Sequence, residues 1–252
     1  MSLRAKRVFC VAPQATRSNL TAKAVTRDLR RLGSPSRARA SRWYFKTGKG
    51  EYGEGDVFFG LTAAELRGVA AKYRDLPLHE IGILLNNKVH ECRAAALAIL
   101  VRAYGRADRE GRERIFRFYL ARTHRINNWD LVDLSAGDIV GEHFLEGGRE
   151  RLTRLARSTW LWDRRIAIIA TGAFIRRGRF ADTLRIARLL LNDEHDLIHK
   201  AVGWMLREVG KRSPATEQKF LDRHAARMPR TMLRYAIEKF PPRKRAKYMA
   251  MG

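Results

Sequence analysis

Four segments of the chain set one basic residue directly before a run of small and apolar residues. They are Arg93-Ala94-Ala95-Ala96-Leu97-Ala98-Ile99, Arg165-Ile166-Ala167-Ile168-Ile169-Ala170, Lys200-Ala201-Val202-Gly203-Trp204-Met205-Leu206 and Arg234-Tyr235-Ala236-Ile237-Glu238-Lys239-Phe240. Successive segments lie 72, 35 and 34 residues apart, that is, two repeats and then one and one. A period of roughly 35–40 residues fits a pair of helices that cannot bury its apolar face alone and must stack on its neighbours.

The stretches between these segments agree. Thr62-Ala63-Ala64-Glu65 has the form of a capping box, in which the Thr hydroxyl accepts from the third amide and the Glu reaches back. Apolar residues at three- and four-residue spacing follow it and recur over 91–104, 112–122, 130–144, 165–177, 180–191, 198–211 and 231–240. Gly105, Gly178, Asn192 and Ser213-Pro214 punctuate them. Alternating runs long enough for several strands are missing. The expectation is an all-α chain, an α-solenoid of HEAT-like or armadillo-like helical pairs over residues 21–252, following a basic arm over 1–20. That arm has no apolar h-region of the secretory kind and fits either a flexible extension or a targeting presequence.

The 252 residues carry 51 Lys and Arg against 26 Asp and Glu, a formal charge of +25. On a folded chain with 45% hydrophobic residues this predicts a polyanionic partner, most commonly nucleic acid, with an acidic membrane surface as the competing reading. Apolar stretches such as 166–170 are far short of a membrane span. Two cysteines, Cys10 and Cys92, exclude a disulfide scaffold and a four-cysteine zinc site, and point to a reducing, intracellular setting. If Arg93, Arg165, Lys200 and Arg234 share the concave face of the solenoid, they form a cationic groove. As separate solvated helix starts they would form none.

The repeat expected between Arg93 and Arg165 breaks the pattern. It reads Asn127-Asn128-Trp129-Asp130-Leu131-Val132-Asp133-Leu134-Ser135, with carboxylates beside a Trp where its neighbours put a base. Asp130 suits the first turn of a helix, where the dipole favours an acid. Asp133, a turn later, is either paired with a nearby Arg or retained for chemistry. Trp129 and Asp133 share one helix face. Together with Arg165 and Trp204 they come from consecutive repeats and can converge on one patch. Two rings and a carboxylate suit a planar cation, although a Trp in a helix is as readily core.

Other signals are weaker. His195 and His199 have a paired-ligand spacing without a third ligand, so no metal site is assigned. Cys92 lies in an Ala-rich run and reads as buried. The glycine-rich 47–56 stretch does not fit a nucleotide loop and reads as an inter-helix loop that offers Lys46 and Lys49 to DNA. Residues 241–247 read as a basic tail that adds nonspecific affinity.

Several motifs are similar to those of the AlkD-like DNA alkylation repair proteins, HEAT-like-repeat DNA glycosylases. They are Trp43-Tyr44-Phe45-Lys46, the Trp129-Asp130-Leu131-Val132-Asp133 element, Trp162-Asp163-Arg164-Arg165-Ile166-Ala167-Ile168, and 198–208, which contains Lys200-Ala201-Val202-Gly203-Trp204. The resemblance covers about residues 40–250. It departs from the family in the glycine-rich insertion after Lys46 and in the N-terminal arm.

What the resemblance implies is a right-handed solenoid with a concave basic face, and a monomeric, monofunctional, cofactor-free glycosylase. Such an enzyme excises cationic N3- or N7-alkylated purines from duplex DNA and leaves the abasic product to a separate endonuclease. It implies Asp133, Trp129, Trp204 and Arg165 as the catalytic set, with Asp133 stabilising the oxocarbenium-like sugar, the Trp pair packing on the lesion's deoxyribose and Arg165 holding a phosphate. Tyr44, Lys46, Lys49, Arg93, Lys200 and Arg234 are expected to touch DNA. The damaged base stays exposed instead of entering a flipping pocket. A cytoplasmic or nucleoid location follows, with organelle targeting by the arm left open. The alternative reading is a non-catalytic protein that binds branched DNA.

Overall fold

A computed structural model describes residues 20–251 of the chain. The basic arm expected over 1–20 lies outside the described residues apart from Leu20, as does Cys10. Among the described residues the only β pairing is an isolated parallel bridge between Val57 and Val89, so the all-α expectation holds. No described helix is long and apolar enough to cross a membrane.

Where the sequence suggested one domain over 21–252, the described chain packs as two compact units. The first comprises residues 20–49 and 54–103. It contains α1 (Ala22–Arg31), α2 (Pro35–Tyr44), α3 (Ala63–Lys72), α4 (Leu78–Leu85) and most of α5 (His90–Arg106). The capping box opens α3 as expected: the Glu65 amide donates to the Thr62 hydroxyl while the Glu65 carboxylate accepts from the Thr62 amide at 2.7 Å. Glu91 closes the loop before α3 by accepting the amides of Phe59, Gly60 and Leu61. Cys92 is buried, and that burial pushes its thiol up to about 11.

The second unit comprises residues 50–53 and 104–251. In chain order its helices are α6 (Arg109–Leu120), α7 (Trp129–Ser135), a π-helical turn (Gly137–Gly141), α8 (Glu142–Phe144), α9 (Glu150–Ala156), α10 (Leu161–Ala170), α11 (Gly172–Arg176) and α12 (Ala181–Leu189). They are followed by α13 (Asp196–Gly210), α14 (Pro214–His224), α15 (Arg230–Ala236) and α16 (Pro242–Met249). The helix expected over 130–144 runs on through a π-helical turn, with Ala136, Gly141 and Glu142 all keeping helical φ and ψ. Gly141 sits so close to α10 that a Cβ there would collide with the Ala170 carbonyl, and the π turn absorbs the approach. The basic tail over 241–247 takes a helical form. It forms α16, anchored by the buried Tyr248, whose hydroxyl donates to Asp222 at 2.6 Å, and by Lys244 on Gln218.

Helix α10 forms the centre of this unit, packing on α7, α9 and α13, while α13 packs in turn on α12, α14 and α15. Isoleucines 166, 168 and 169 and Trp162 on α10, with Ile198, Val202 and Leu206 on α13, are buried between them. Burying side chains of this size contributes about 1.5–3 kcal/mol each. The α7–α10–α13 order is therefore fixed by apolar packing, and the polar side chains described next are carried on a rigid support.

Candidate active site

The buried Asn128 caps α7, its carbonyl oxygen accepting the Trp129 amide at 2.8 Å. Trp129 is thereby held at the first helical position, half-buried, and Asp133 follows one turn later on the same face. From the adjacent α10, Arg165 donates through Nε to Asp133 Oδ1 at 3.0 Å and through Nη2 to Oδ2 at 2.8 Å. Its Nη1 donates to the Leu197 carbonyl, in the first turn of α13, at 2.5 Å. One guanidinium thus ties α7, α10 and α13 together. Trp204 lies seven residues beyond Leu197, two turns along the same face of α13. Its indole donates to Glu208 at 3.2 Å and the ring is half-buried.

The two-point contact favours an ionised carboxylate, whose two oxygens accept the two donors of the guanidinium fork. Burial nevertheless lifts the Asp133 carboxyl above its ordinary range, the Arg165 guanidinium opposing the shift and Asp130 adding to it. Asp133 keeps 17% of its side-chain surface exposed while Arg165 keeps 5%. Each carboxylate oxygen spends one lone pair on Arg165 and retains another. The arrangement is a carboxylate that keeps part of its surface in solvent, aligned by a buried cation, with a half-buried indole one turn away on its own helix.

The structure brings Asp133 and Arg165 into direct contact and ties Trp204's helix to them. It redistributes the residues expected to bind DNA. Arg165, 4% exposed with all three nitrogens engaged, has the position of a residue that holds Asp133, not one that reaches out to a phosphate. Arg93 does not line a cationic groove. It is 3% exposed, donates to Asp56 at 2.7 Å and to the Asn87 and Lys88 carbonyls, and is used up inside the first unit. The four bases that mark the repeats therefore do not form one exposed face. Lys200 is half-buried and paired with Asp196 at 2.6 Å, and Arg234 alone is exposed.

In the first unit Tyr44 is exposed beside the still more exposed Trp43, and Lys46 lies over the Trp43 ring at 5.7 Å. Lys49 is exposed in the glycine-rich stretch. Sequence reasoning did not foresee that residues 50–53 of that stretch belong to the second unit. There Tyr52 meets the buried Trp162 edge-on, ring centroids 6.1 Å apart. Nor did it foresee the role of Leu197, which acts through a main-chain carbonyl that leaves no trace in a side-chain pattern. His195 caps its own helix by accepting the Leu197 amide, and His199 bonds the Asp193 carbonyl. Among the described residues no group of three or more His, Cys, Asp or Glu is placed to hold a metal ion.

Stacked helices carrying a part-exposed carboxylate, with an indole one turn away on the same helix, define an all-α repeat protein with a polar site on its helix faces. The chain belongs to the DNA alkylation repair enzyme family, whose model matches residues 25–240. It is also similar to the solved structure of a predicted DNA alkylation repair enzyme from Enterococcus faecalis, with a TM-score of 0.65 and 18% identity over 84% of this chain and 98% of that one. At that identity the likeness concerns the fold. A search of the curated proteins finds no match. Family membership gives the chain a role in DNA alkylation repair, with DNA as its substrate.

Proposed function

We propose that the chain is a monofunctional DNA glycosylase that hydrolyses the N-glycosidic bond of cationic N3- or N7-alkylated purines. The observation that carries this reading is the Arg165–Asp133 pair: an ionised carboxylate, oriented at both oxygens by a buried cation and part-exposed to solvent. Alkylation makes the purine cationic, so the base leaves with the glycosidic electron pair and no proton has to be supplied. Charge then develops on the sugar, and a fixed carboxylate stabilises it most strongly at that point. Asp133 also aligns the water that attacks the anomeric carbon. Trp129 and Trp204 offer faces to the deoxyribose and to the cationic state of the lesion. Arg165 acts as a positioning residue. Tyr44, Lys46, Lys49, Lys200 and Arg234 remain candidates for backbone contacts. The protein acts as a monomer without metal or nucleotide, and an abasic-site endonuclease takes its product.

The test is release of free 7-methylguanine from alkylated duplex in a single turnover. Asp133→Asn keeps the shape and loses the charge, so it should retain DNA affinity and lose about 10²–10³-fold in rate, the loss typical of removing one transition-state electrostatic interaction. Equal rates for wild type and variant would sink the assignment. One observation favours the second reading, a non-catalytic binder of branched DNA. The Arg93–Asp56 pair shows that this fold also uses buried Arg–Asp contacts purely for structure. Asp56, however, is 5% exposed at its side chain, whereas Asp133 keeps part of its surface in solvent, with the half-buried Trp129 one turn away.

A further inference from the structure

Helices α12 and α14 both pack on α13, and a solvent-open cleft of about 410 Å³ lies between them. It shares no residue with the Asp133 site. From α12 come Arg185 and Arg188, three apart, and from α14 come Lys219 and Arg223, four apart, so each pair projects from one helix face. Phe220 and His224 complete the lining from α14, with ring centroids 4.5 Å apart. No carboxylate lines the cleft.

Arg185 is already committed to Thr153 and Asp182. The side chains of Arg188, Lys219 and Arg223 are exposed and have no ion-pair or hydrogen-bond partner among the described residues. His224 presents a buried Nδ1 without a partner. Burial, and then Arg188, Arg227 and Arg223, hold its imidazole below the usual range, so the ring is kept neutral among cations. Like charges a turn apart repel, and no carboxylate in the cleft lining offsets Arg188, Lys219 or Arg223. The remaining compensation is an anion from outside.

We infer that the α12–α14 cleft is a second DNA-backbone site, in which Arg188, Lys219 and Arg223 take phosphodiester groups. Three things favour a DNA backbone over a small anion. The cleft is open to solvent, its bases come from two helices with Lys219 and Arg223 a helical turn (about 5.4 Å) apart along α14, and the substrate of this family is DNA. The inference rests on DNA as the partner and not on glycosidic cleavage.

The test uses the full chain and the triple variant Arg188→Ala/Lys219→Ala/Arg223→Ala, whose exposed, unpartnered side chains can be removed without disturbing the core. Affinity for a short undamaged duplex is measured against salt, and the His224 ring signals, assigned with His224→Gln, are followed by NMR during the same titration. In the wild type the His224 signals should move as duplex is added. In the variant they should stay still, and the salt slope should fall by about 2–3 (about 0.9 for each phosphate that is no longer neutralised). If the wild-type His224 signals do not move at saturating duplex, the inference is wrong. It is also wrong if they move with pyrophosphate but not with duplex, or if the variant keeps its full slope. The Asp133 reading can fail independently: a chain that releases no base yet passes this test is a DNA binder with two separate binding surfaces.

Discussion

Arg165 meets Asp133 at both carboxylate oxygens and holds the Leu197 carbonyl with its remaining nitrogen, so α10 fixes an acid on one neighbour and the start of the other. Lysine cannot reproduce this, since an ammonium is a point donor without the planar fork. The direction of the Asp133 shift makes the pair testable by pH. Burial pushes the carboxyl up and Arg165 pulls it down. Arg165→Ala should therefore move the acid limb of the single-turnover pH–rate profile upward, by about 1–3 units for the loss of an adjacent cation. A lower melting temperature with an unmoved acid limb would mean that the pair is structural only.

Trp162 and Trp204, from two of the sequence motifs, should separate cleanly. Trp162, 3% exposed beneath Tyr52, is core, and Trp162→Ala should cost about 3–5 kcal/mol of stability. Trp204 is half-buried, with its indole nitrogen satisfied by Glu208 on its own helix. Trp204→Ala should lower the melting temperature far less than Trp162→Ala while removing excision and the preference for alkylated over plain duplex. Paired thermal melts and competition binding decide this, and a Trp204→Ala melt as low as that of Trp162→Ala would return Trp204 to the core.

Arg93 gives a prediction of the opposite kind. Because it is consumed by Asp56 and two carbonyls, Arg93→Ala should leave DNA affinity and its salt slope unchanged per folded molecule. It leaves the buried Asp56 carboxylate with His90 as its remaining partner and should destabilise the fold by about 3–5 kcal/mol. Denaturant titration beside DNA binding at several salt concentrations checks both halves. A salt slope reduced by about 0.9 would show that the residue reaches phosphate after all.

The sequence carried the helices well because their signals are local. Capping at Thr62 and Glu65, apolar spacing on α10, α12 and α13, and the basic residue ahead of each run all act within a few turns. It also carried the grouping of Asp133 with Arg165, because repeat spacing places equivalent residues on neighbouring helices. It did not show which side of its helix each base faces. Arg93, Arg165 and Lys200 occupy similar slots in the pattern, yet two are buried on acids and one is half-buried on an acid a turn away. For Arg93 the partner that decides this, Asp56, lies 37 residues upstream beside the glycine-rich stretch, with no periodicity of its own to announce it. The cleft bases on α12 and α14 were hidden for the same reason: in a chain of charge +25 an unpaired Arg looks like any other until its neighbours are placed.

Glu217 supplies a stability switch unconnected with DNA. It is 2% exposed on α14 and seated against Gly210, where a Cβ would collide with its carboxylate, and its Oε1 has no hydrogen-bond partner. Burial pushes its carboxyl up to about 8 from an ordinary 4.5, against the opposing pull of Lys244 and Arg207. A group that binds its proton more tightly folded than unfolded contributes stability that is complete below the unfolded value and is lost as pH rises through the folded one. The loss should therefore run from about pH 4.5 to about pH 8, with at most about 1.4 kcal/mol per pH unit. Glu217→Gln keeps the shape and cannot ionise. The difference in melting temperature between variant and wild type should move in the variant's favour by about 3 °C per pH unit across that window and level off above it. Whatever the amide itself costs is constant with pH and cancels from the slope. Melts in matched buffers at low, neutral and alkaline pH measure it, and a flat difference would place Glu217 in contact with water and its proton within the ordinary range.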